Sequence, residues 1–203
     1  MLPALARLAA VRCVNTDIGN ALLFWLWDRC DANEPALGRE PPHHNVGPMA
    51  PLKTTHRLAT QEDANRLFEL RRHSIGALAV SAMSKAKANS WAASLTRAGM
   101  QQKLRDLEVW VAETGGAIAG WGAIRGDRLE GLYTDPQFAS RGIGADLLRL
   151  LEAFARERGF SVMHAEASAN ALQFYLRRGY ELNGPQTPDG AQPLQKRLRS
   201  SDP

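Results

Sequence analysis

The spacing of apolar residues changes character several times along the chain, and each change marks an element. From Leu52 the pattern becomes regular, and 52–58 is a short strand candidate. Thr60, with Asp63 three residues on, reads as a helix start. Ala64, Leu67, Phe68 and positions 71–75 then keep a helical period, which predicts a helix over 61–75. Stretches over 85–95 and 99–107 continue as helix, with Trp91 inside the first. At 108 the period drops to two. Strands over 108–113 and 117–124 are joined by Thr114-Gly115-Gly116, a hairpin signal. A turn at Gly126-Asp127 leads to a third strand over 128–134, which Asp135-Pro136 ends. After a loop over 137–141 comes a long amphipathic helix. Ile143, Leu147, Leu148, Leu151, Phe154 and Ala155 share its apolar face, and Asp146, Arg149, Glu152, Arg156 and Glu157 its polar one. Gly159 stops it. A strand over 160–167, a helix over 170–178 closed by Gly179, and strands at 180–182 and 193–198 complete the series. The order predicts a mixed α/β (α+β) architecture, with helices flanking a mostly antiparallel central sheet.

Residues 1–51 do not join this pattern. The stretch 34–51 holds Pro35, Pro41, Pro42, Pro48 and Pro51 with Gly38 and Gly47, the composition of a linker. Residues 21–27 read ALLFWLW, too short to span a bilayer and ended by Asp28 and Arg29. Asn15, Asp17 and Asn20 interrupt what a signal peptide would need as a clean apolar core. The expected organisation is a poorly ordered extension over 1–51, a domain over 52–198 and a tail over 199–203. The extension is either accessory or the product of a start set upstream of Met49.

Charge and cysteines narrow the class. The net charge of +4 comes with no long basic run, so nucleic acid is not an expected partner, nor is a membrane. Cys13 and Cys30 precede the domain, form no metal-ligand spacing and are too few for a disulfide framework, although a bridge between the two stays open. His43, His44 and His56 show no metal pattern either, so no metal is expected. A reducing, cytoplasmic setting is the expectation.

The most informative segment is 132–145, LYTDPQFASRGIGA. A strand runs into a short loop ending in Arg-Gly-Ile-Gly, and a long helix follows. The first-turn amides of such a helix have no acceptors of their own and carry the positive end of the helix dipole. Gly142 and Gly144 lack a Cβ, so a phosphate can come close to the backbone. Arg141 adds a positive charge. A dinucleotide fingerprint is excluded because Leu147 stands where its third glycine belongs, and a P-loop because no Gly-Lys-Ser/Thr occurs. On its own this loop leaves two readings open, an anion site or a tight turn with close helix–sheet packing.

Tyr-Thr-Asp-Pro, the loop with Arg-Gly-Ile-Gly-Ala and the amphipathic helix together resemble motif A of the GCN5-related N-acetyltransferase (GNAT) superfamily. The stretch 166–180, EASANALQFYLRRGY, is similar to its motif B, with Ala167, Ser168, Ala171, Phe174, Tyr175 and Gly179 in register and Tyr180 in place of the final Phe. The opening HRLATQEDANRLFEL also resembles the family's first strand and helix. The resemblance spans 52–198. It implies acetyl-coenzyme A as co-substrate, with Ser140, Arg141, Gly142, Ile143, Gly144 and Ala145 at its pyrophosphate and Leu132, Tyr133 and Thr134 along its pantetheine. The first position of the family's loop pattern is Ala139 here, which leaves Arg141 to supply the missing side-chain contact.

The resemblance further implies Tyr175 as the general acid that protonates the leaving thiolate, against the plainer reading of a core aromatic beside Phe174. Glu130 is the candidate base; strict alternation puts it on one face with Leu132, opposite Leu129 and Gly131. Ser168 either caps the following helix or contacts the cofactor. His164 and Glu166 share a strand face and are either a proton relay or a structural pair. Trp91, Arg72, His73 and Ser74 fall in the region that lines the family's acceptor pocket, and Trp91 and Ser74 are the candidate substrate contacts. The expected activity is acetyl transfer to the amine of a small molecule or peptide. Few acidic residues stand in the two helical regions, so a mildly acidic, polar or hydrophobic acceptor is expected. The alternative is a non-catalytic acyl-coenzyme A sensor of the same fold. A homodimer is compatible with either.

Overall fold

A computed structural model describes residues 53–198. The apolar run at 21–27, both cysteines, His43, His44 and the tail lie outside the described residues. A 7-stranded sheet runs in the order β1-β2-β3-β4-β5-β7-β6. Its strands are β1 (Thr54–Leu58), β2 (Glu108–Thr114), β3 (Ala117–Arg125), β4 (Arg128–Thr134), β5 (Val162–Ala167), β6 (Glu181–Leu182) and β7 (Gln192–Arg197). Neighbours are antiparallel except β4 and β5. Gly115 and Gly116, at φ 60° and 78°, form the turn between β2 and β3, where a tight hairpin needs two residues of positive φ.

One face carries α1 (Ala64–Ser74), α2 (Lys85–Ala93) and α3 (Arg97–Asp106). Leu67, Leu70 and Met100 from these helices bury against Val109, Val111 and Trp121 of the sheet. The other face carries α4 (Ile143–Glu157), whose Leu147, Leu148 and Leu151 are fully buried. α4 sits close because β3 offers glycines beneath it. A Cβ on Gly120 would fall 2.8 Å from Ile143 Cγ2, and one on Gly122 2.8 Å from Leu151 Cδ1. The last helix, α5 (Leu172–Leu176), follows β5.

The elements depart from the sequence expectation chiefly in three places. The first helix is a 3-10 turn, Gln61–Asp63, then α1, then a π-helical turn, Ile75–Ala79, which carries the chain past the expected stop at 75. The strand expected from 160 starts at Val162, because the Phe160 amide still donates to the Ala155 carbonyl at 3.0 Å and closes α4. α5 is shorter than 170–178 and is flanked by turns. Among the described residues no helix is long and apolar enough to cross a membrane.

The feature that positions the site is the seam between β4 and β5. The two strands bridge at Arg128↔His164 alone, with the His164 amide donating to the Asp127 carbonyl at 2.8 Å. Beyond that point they part. Leu132, Tyr133 and Thr134 stay paired with Gly122, Trp121 and Gly120 of β3, while their other edge faces an opening.

Candidate active site

Two cavities lie along this opening, one of about 570 Å3 and one of about 530 Å3. They share Trp91, Leu132, Tyr133, Ser168, Ala171 and Tyr175, so they meet where the strands diverge.

The first cavity runs to the start of α4. The first intrahelical bond there is from the Asp146 amide to the Gly142 carbonyl, 3.0 Å. The amides of Ile143, Gly144 and Ala145 precede it and have no acceptor within the helix. Gly142, at φ 88°, makes the left-handed turn into α4, and Ser140 has φ 61° beside it. Asp135 anchors the loop from behind. It accepts from the Gln137 amide at 3.0 Å and from Arg66 Nη2 at 2.6 Å. Thr134, Ser140, Gly142, Ile143, Gly144 and Ala145 all border this cavity, as do Leu132, Tyr133 and Ser168. Arg141 does not. It is exposed, and its guanidinium lies over the ring of Phe138, a residue that does border the cavity, 5.6 Å from the centroid. Ser74, expected at the acceptor, borders this cavity rather than the second. Arg72 and His73 are exposed and border neither.

Sequence reasoning passed over Asn170 and Arg178, which also border the first cavity. With Phe174 they stand four apart on one side of the α5 turn, a spacing that could have identified them. Arg178 lies over the Phe174 ring at 3.8 Å and donates to the Phe174 carbonyl at 2.8 Å. Burial lowers its pKa from the usual guanidinium value, and Arg177 and Arg149 push the same way.

Glu130 borders the second cavity, but not for the expected reason. Ile124 pairs with Leu129 and Ala123 with Gly131, which leaves Glu130 as the extra residue of a β-bulge. The bulge breaks the alternation, so Leu129 and Leu132 both pack into the cluster under α4. Gly131 lies on the other face, near Trp121 and Tyr133. Glu130 Oε1 is 3.8 Å from Arg128 Nε, while Arg128 Nη2 donates to Glu166 at 2.6 Å. That bond to Glu166 raises the pKa of Arg128 despite partial desolvation. Glu166 thus belongs to an ion pair, and His164 lies 3.8 Å from Asp127 instead of joining it. Asp189 also borders the second cavity. The acidic groups therefore come from the sheet and the β6–β7 connection, not from the helical regions where few were expected.

Tyr175 is 6% exposed, edge-on to Phe174 and Tyr180 at 5.1 and 5.3 Å between centroids. It belongs to the core and borders both cavities at once, so the two readings of it are not exclusive. Burial raises its pKa well above the ordinary phenol value, with a smaller push from Tyr133. The Ser168 hydroxyl donates to Asn170 Oδ1 at 2.9 Å, and no side chain caps α5. Trp91 packs beside Ile75, Ala79 and Ala88 and tilts toward Tyr133 at 6.4 Å. Among the described residues no cluster of three or more His, Cys, Asp or Glu could hold a metal.

The overall fold is one that many solved structures share with this chain. Residues 79–191 match the family model described as an acetyltransferase (GNAT) domain. A GCN5-related N-acetyltransferase from Rhodopseudomonas palustris is 26% identical, covering 75% of this chain and 100% of its own, with a TM-score of 0.67. An N-acetyltransferase, PaiA, from Thermoplasma acidophilum, solved in complex with coenzyme A, is 18% identical over 72% of this chain and 99% of its own, TM-score 0.62. YncA from Salmonella typhimurium, solved with acetyl-CoA, is 18% identical over 74% of this chain and 97% of its own, TM-score 0.51. No curated protein matches the sequence. With more than half its length in the family model and the seven-stranded sheet of its structural relatives, the chain belongs to the GNAT acetyltransferases.

Proposed function

We propose that the protein transfers the acetyl group of acetyl-coenzyme A to the amine of a small molecule or peptide. One observation carries this reading: the cavity beside the open edge of β4 ends at the unpaired amides of Ile143, Gly144 and Ala145. A diphosphate suits those amides, because the N-terminal end of a helix attracts anions and Gly142 and Gly144 leave the backbone uncovered. A Cβ on Gly144 would lie 3.3 Å from Thr134 Oγ1, so the approach there is already narrow. The peptide groups of Leu132, Tyr133 and Thr134 that face the opening suit the amides of pantetheine. This lays the thioester at the meeting point of the cavities, beside Tyr175.

The acceptor then enters from the second cavity. Its neutral nitrogen attacks the thioester carbonyl, the C–S bond breaks, and the departing sulfur takes the Tyr175 phenolic proton. A buried phenol holds its proton tightly, so its release is coupled to the return of the proton the acceptor amine loses. Glu130, with its side chain 25% exposed, is placed to pass that proton through water. The cavity holds Lys87 and Arg128 against Glu130, Glu166 and Asp189. Three carboxylates against two cations leave one negative charge for an ammonium, which favours a monoamine over a polyamine.

The test is thiol release from acetyl-coenzyme A with a panel of amines, using Tyr175→Phe as the comparison. Loss of a general acid is expected to lower kcat about 100-fold or more. Coenzyme A affinity by calorimetry should stay near that of the wild type. Coenzyme A binding with no amine-dependent thiol release would instead favour a sensor, and absence of binding would refute both readings.

A further inference from the structure

We propose that Arg71 is the positioning residue of the acceptor cavity, the side chain that sets its helical wall against its strand floor. The geometry stands by itself, while the kinetic consequence rests on the acyl-transfer reading above.

α2 and the residue just after it bring Lys87, Ser90, Trp91 and Ser94 to the second cavity. The sequence of α2, KAKANSWAA, gives it little apolar hold, and of its nine residues only Ala88 is buried. One methyl group contributes about 0.8 kcal/mol by burial. Trp91 and Ala92, half-buried beside Ile75 and Ala79, add to this, but the face is narrow. The polar part of the hold comes from α1. Arg71 is 5% exposed. Its Nη1 donates to the Ala92 carbonyl at 3.1 Å, and its Nη2 to the Trp91 carbonyl at 3.0 Å and to Ser94 Oγ at 3.2 Å. Its Nε donates to the Tyr133 hydroxyl at 3.3 Å. The Trp91 carbonyl also accepts from the Ser94 amide and hydroxyl, at 3.2 and 2.7 Å, while Ala92 in the last turn has its donor from Arg71, whose charge also answers the negative end of α2.

The same group lies between the aromatic rings at the meeting point of the cavities, 5.8 Å from Trp91 and 5.6 Å from Tyr133. Among the described residues no carboxylate pairs with Arg71, so carbonyl and hydroxyl dipoles alone surround its charge. That arrangement depends on a planar fork with donors on separate nitrogens. A lysine ammonium, one point at the end of a flexible stem, cannot span Ala92, Ser94 and Tyr133 together.

The experiment compares wild type, Arg71→Lys, Arg71→Ala and Ser94→Ala in the full chain, the last removing one ligand of the clamp without touching the guanidinium. Amide hydrogen exchange over residues 85–94 is expected to quicken about tenfold in Arg71→Lys and less in Ser94→Ala, with α4 unchanged. In thiol release the acceptor KM is expected to rise about tenfold, with kcat and coenzyme A affinity within about threefold of wild type. Adding free guanidinium to Arg71→Ala should bring the KM back. Exchange over 85–94 equal to wild type would overturn the proposal. So would a coenzyme A affinity that falls in step with the acceptor KM, since that signals general loosening. If the wild type transfers acetyl to no amine, the acyl-transfer reading fails and the exchange measurement still decides the clamp.

Discussion

At the scale of single residues, side chains tie the chain at points that its period does not mark. Asp63 was legible as a helix-start residue, and it accepts from the Thr60 amide at 2.7 Å. What the spacing could not reveal is Arg57, which reaches Asp63 from β1 with two bonds of 2.7 and 3.0 Å. Arg57 holds the Asp63 carboxyl below its ordinary value; partial burial opposes this and Thr60 assists. The unfolded chain keeps the ordinary value. The stabilisation is therefore whole above that value and is lost as the pH falls through the lower folded one. Asp63→Asn is expected to cost about 1 kcal/mol near neutral pH and less at about pH 3, measured from urea midpoints at both. An equal loss at both would show that the charge contributes nothing. Glu152 was read as part of the polar face of its helix, and it is 4% exposed and bonded to Lys196 at 2.6 Å. A helical wheel cannot show that a strand from far along the chain will cover that side.

At the scale of elements, the strands and the amphipathic helix followed directly from period two and period 3.6, because those periods are set by burial on one face. The bulge at Glu130 did not. A single extra residue leaves the composition of a strand unchanged while it turns every following side chain over. α2 was legible as helix but not as wall, because much of its attachment is polar and comes from Arg71, far back along the chain. The glycines of β3 carry the third lesson. In sequence Gly120 and Gly122 only weaken a strand, whereas in the fold they are the floor on which α4 rests. A Cβ on Gly120 would also lie 2.9 Å from the Tyr133 carbonyl oxygen, a backbone atom that cannot swing aside. Gly120→Ala is expected to destabilise by about 1–3 kcal/mol and, by tilting the first turn of α4, to weaken coenzyme A binding. Calorimetry on the folded variant checks this, and unaltered affinity would separate the seat of α4 from the anion site.

At the scale of the molecule, the family was legible because two motifs occur in order with one helix and one strand between them, and the fold followed from it. The acceptor was not legible. Its cavity is assembled from α2, the β4 bulge, β5 and the β6–β7 connection, which lie far apart along the chain. No local pattern records that meeting. The cleft itself predicts a thermal response. Coenzyme A at about a hundred times its Kd should add about 2.7 kcal/mol of stability, seen as a rise of a few degrees in Tm. 3′-Phospho-ADP, which keeps the diphosphate but lacks the pantetheine arm, should raise it less, because it leaves the edge of β4 unoccupied. Equal shifts from the two would place the binding energy entirely at the start of α4.

The seam at Arg128 and His164 has one more consequence. A strand edge recognises whatever presents amides at the right interval and is indifferent to the group hung on the far end. On the reading given above, this half of the protein serves as a rail for the carrier and exerts no choice over its cargo. Acetyl, propionyl and longer chains would ride it equally well. Selection among them would fall to the narrow junction bounded by Trp91, Tyr133 and Tyr175, so that a smaller side chain at Trp91 would alter which acyl group is delivered without changing how firmly its carrier is held.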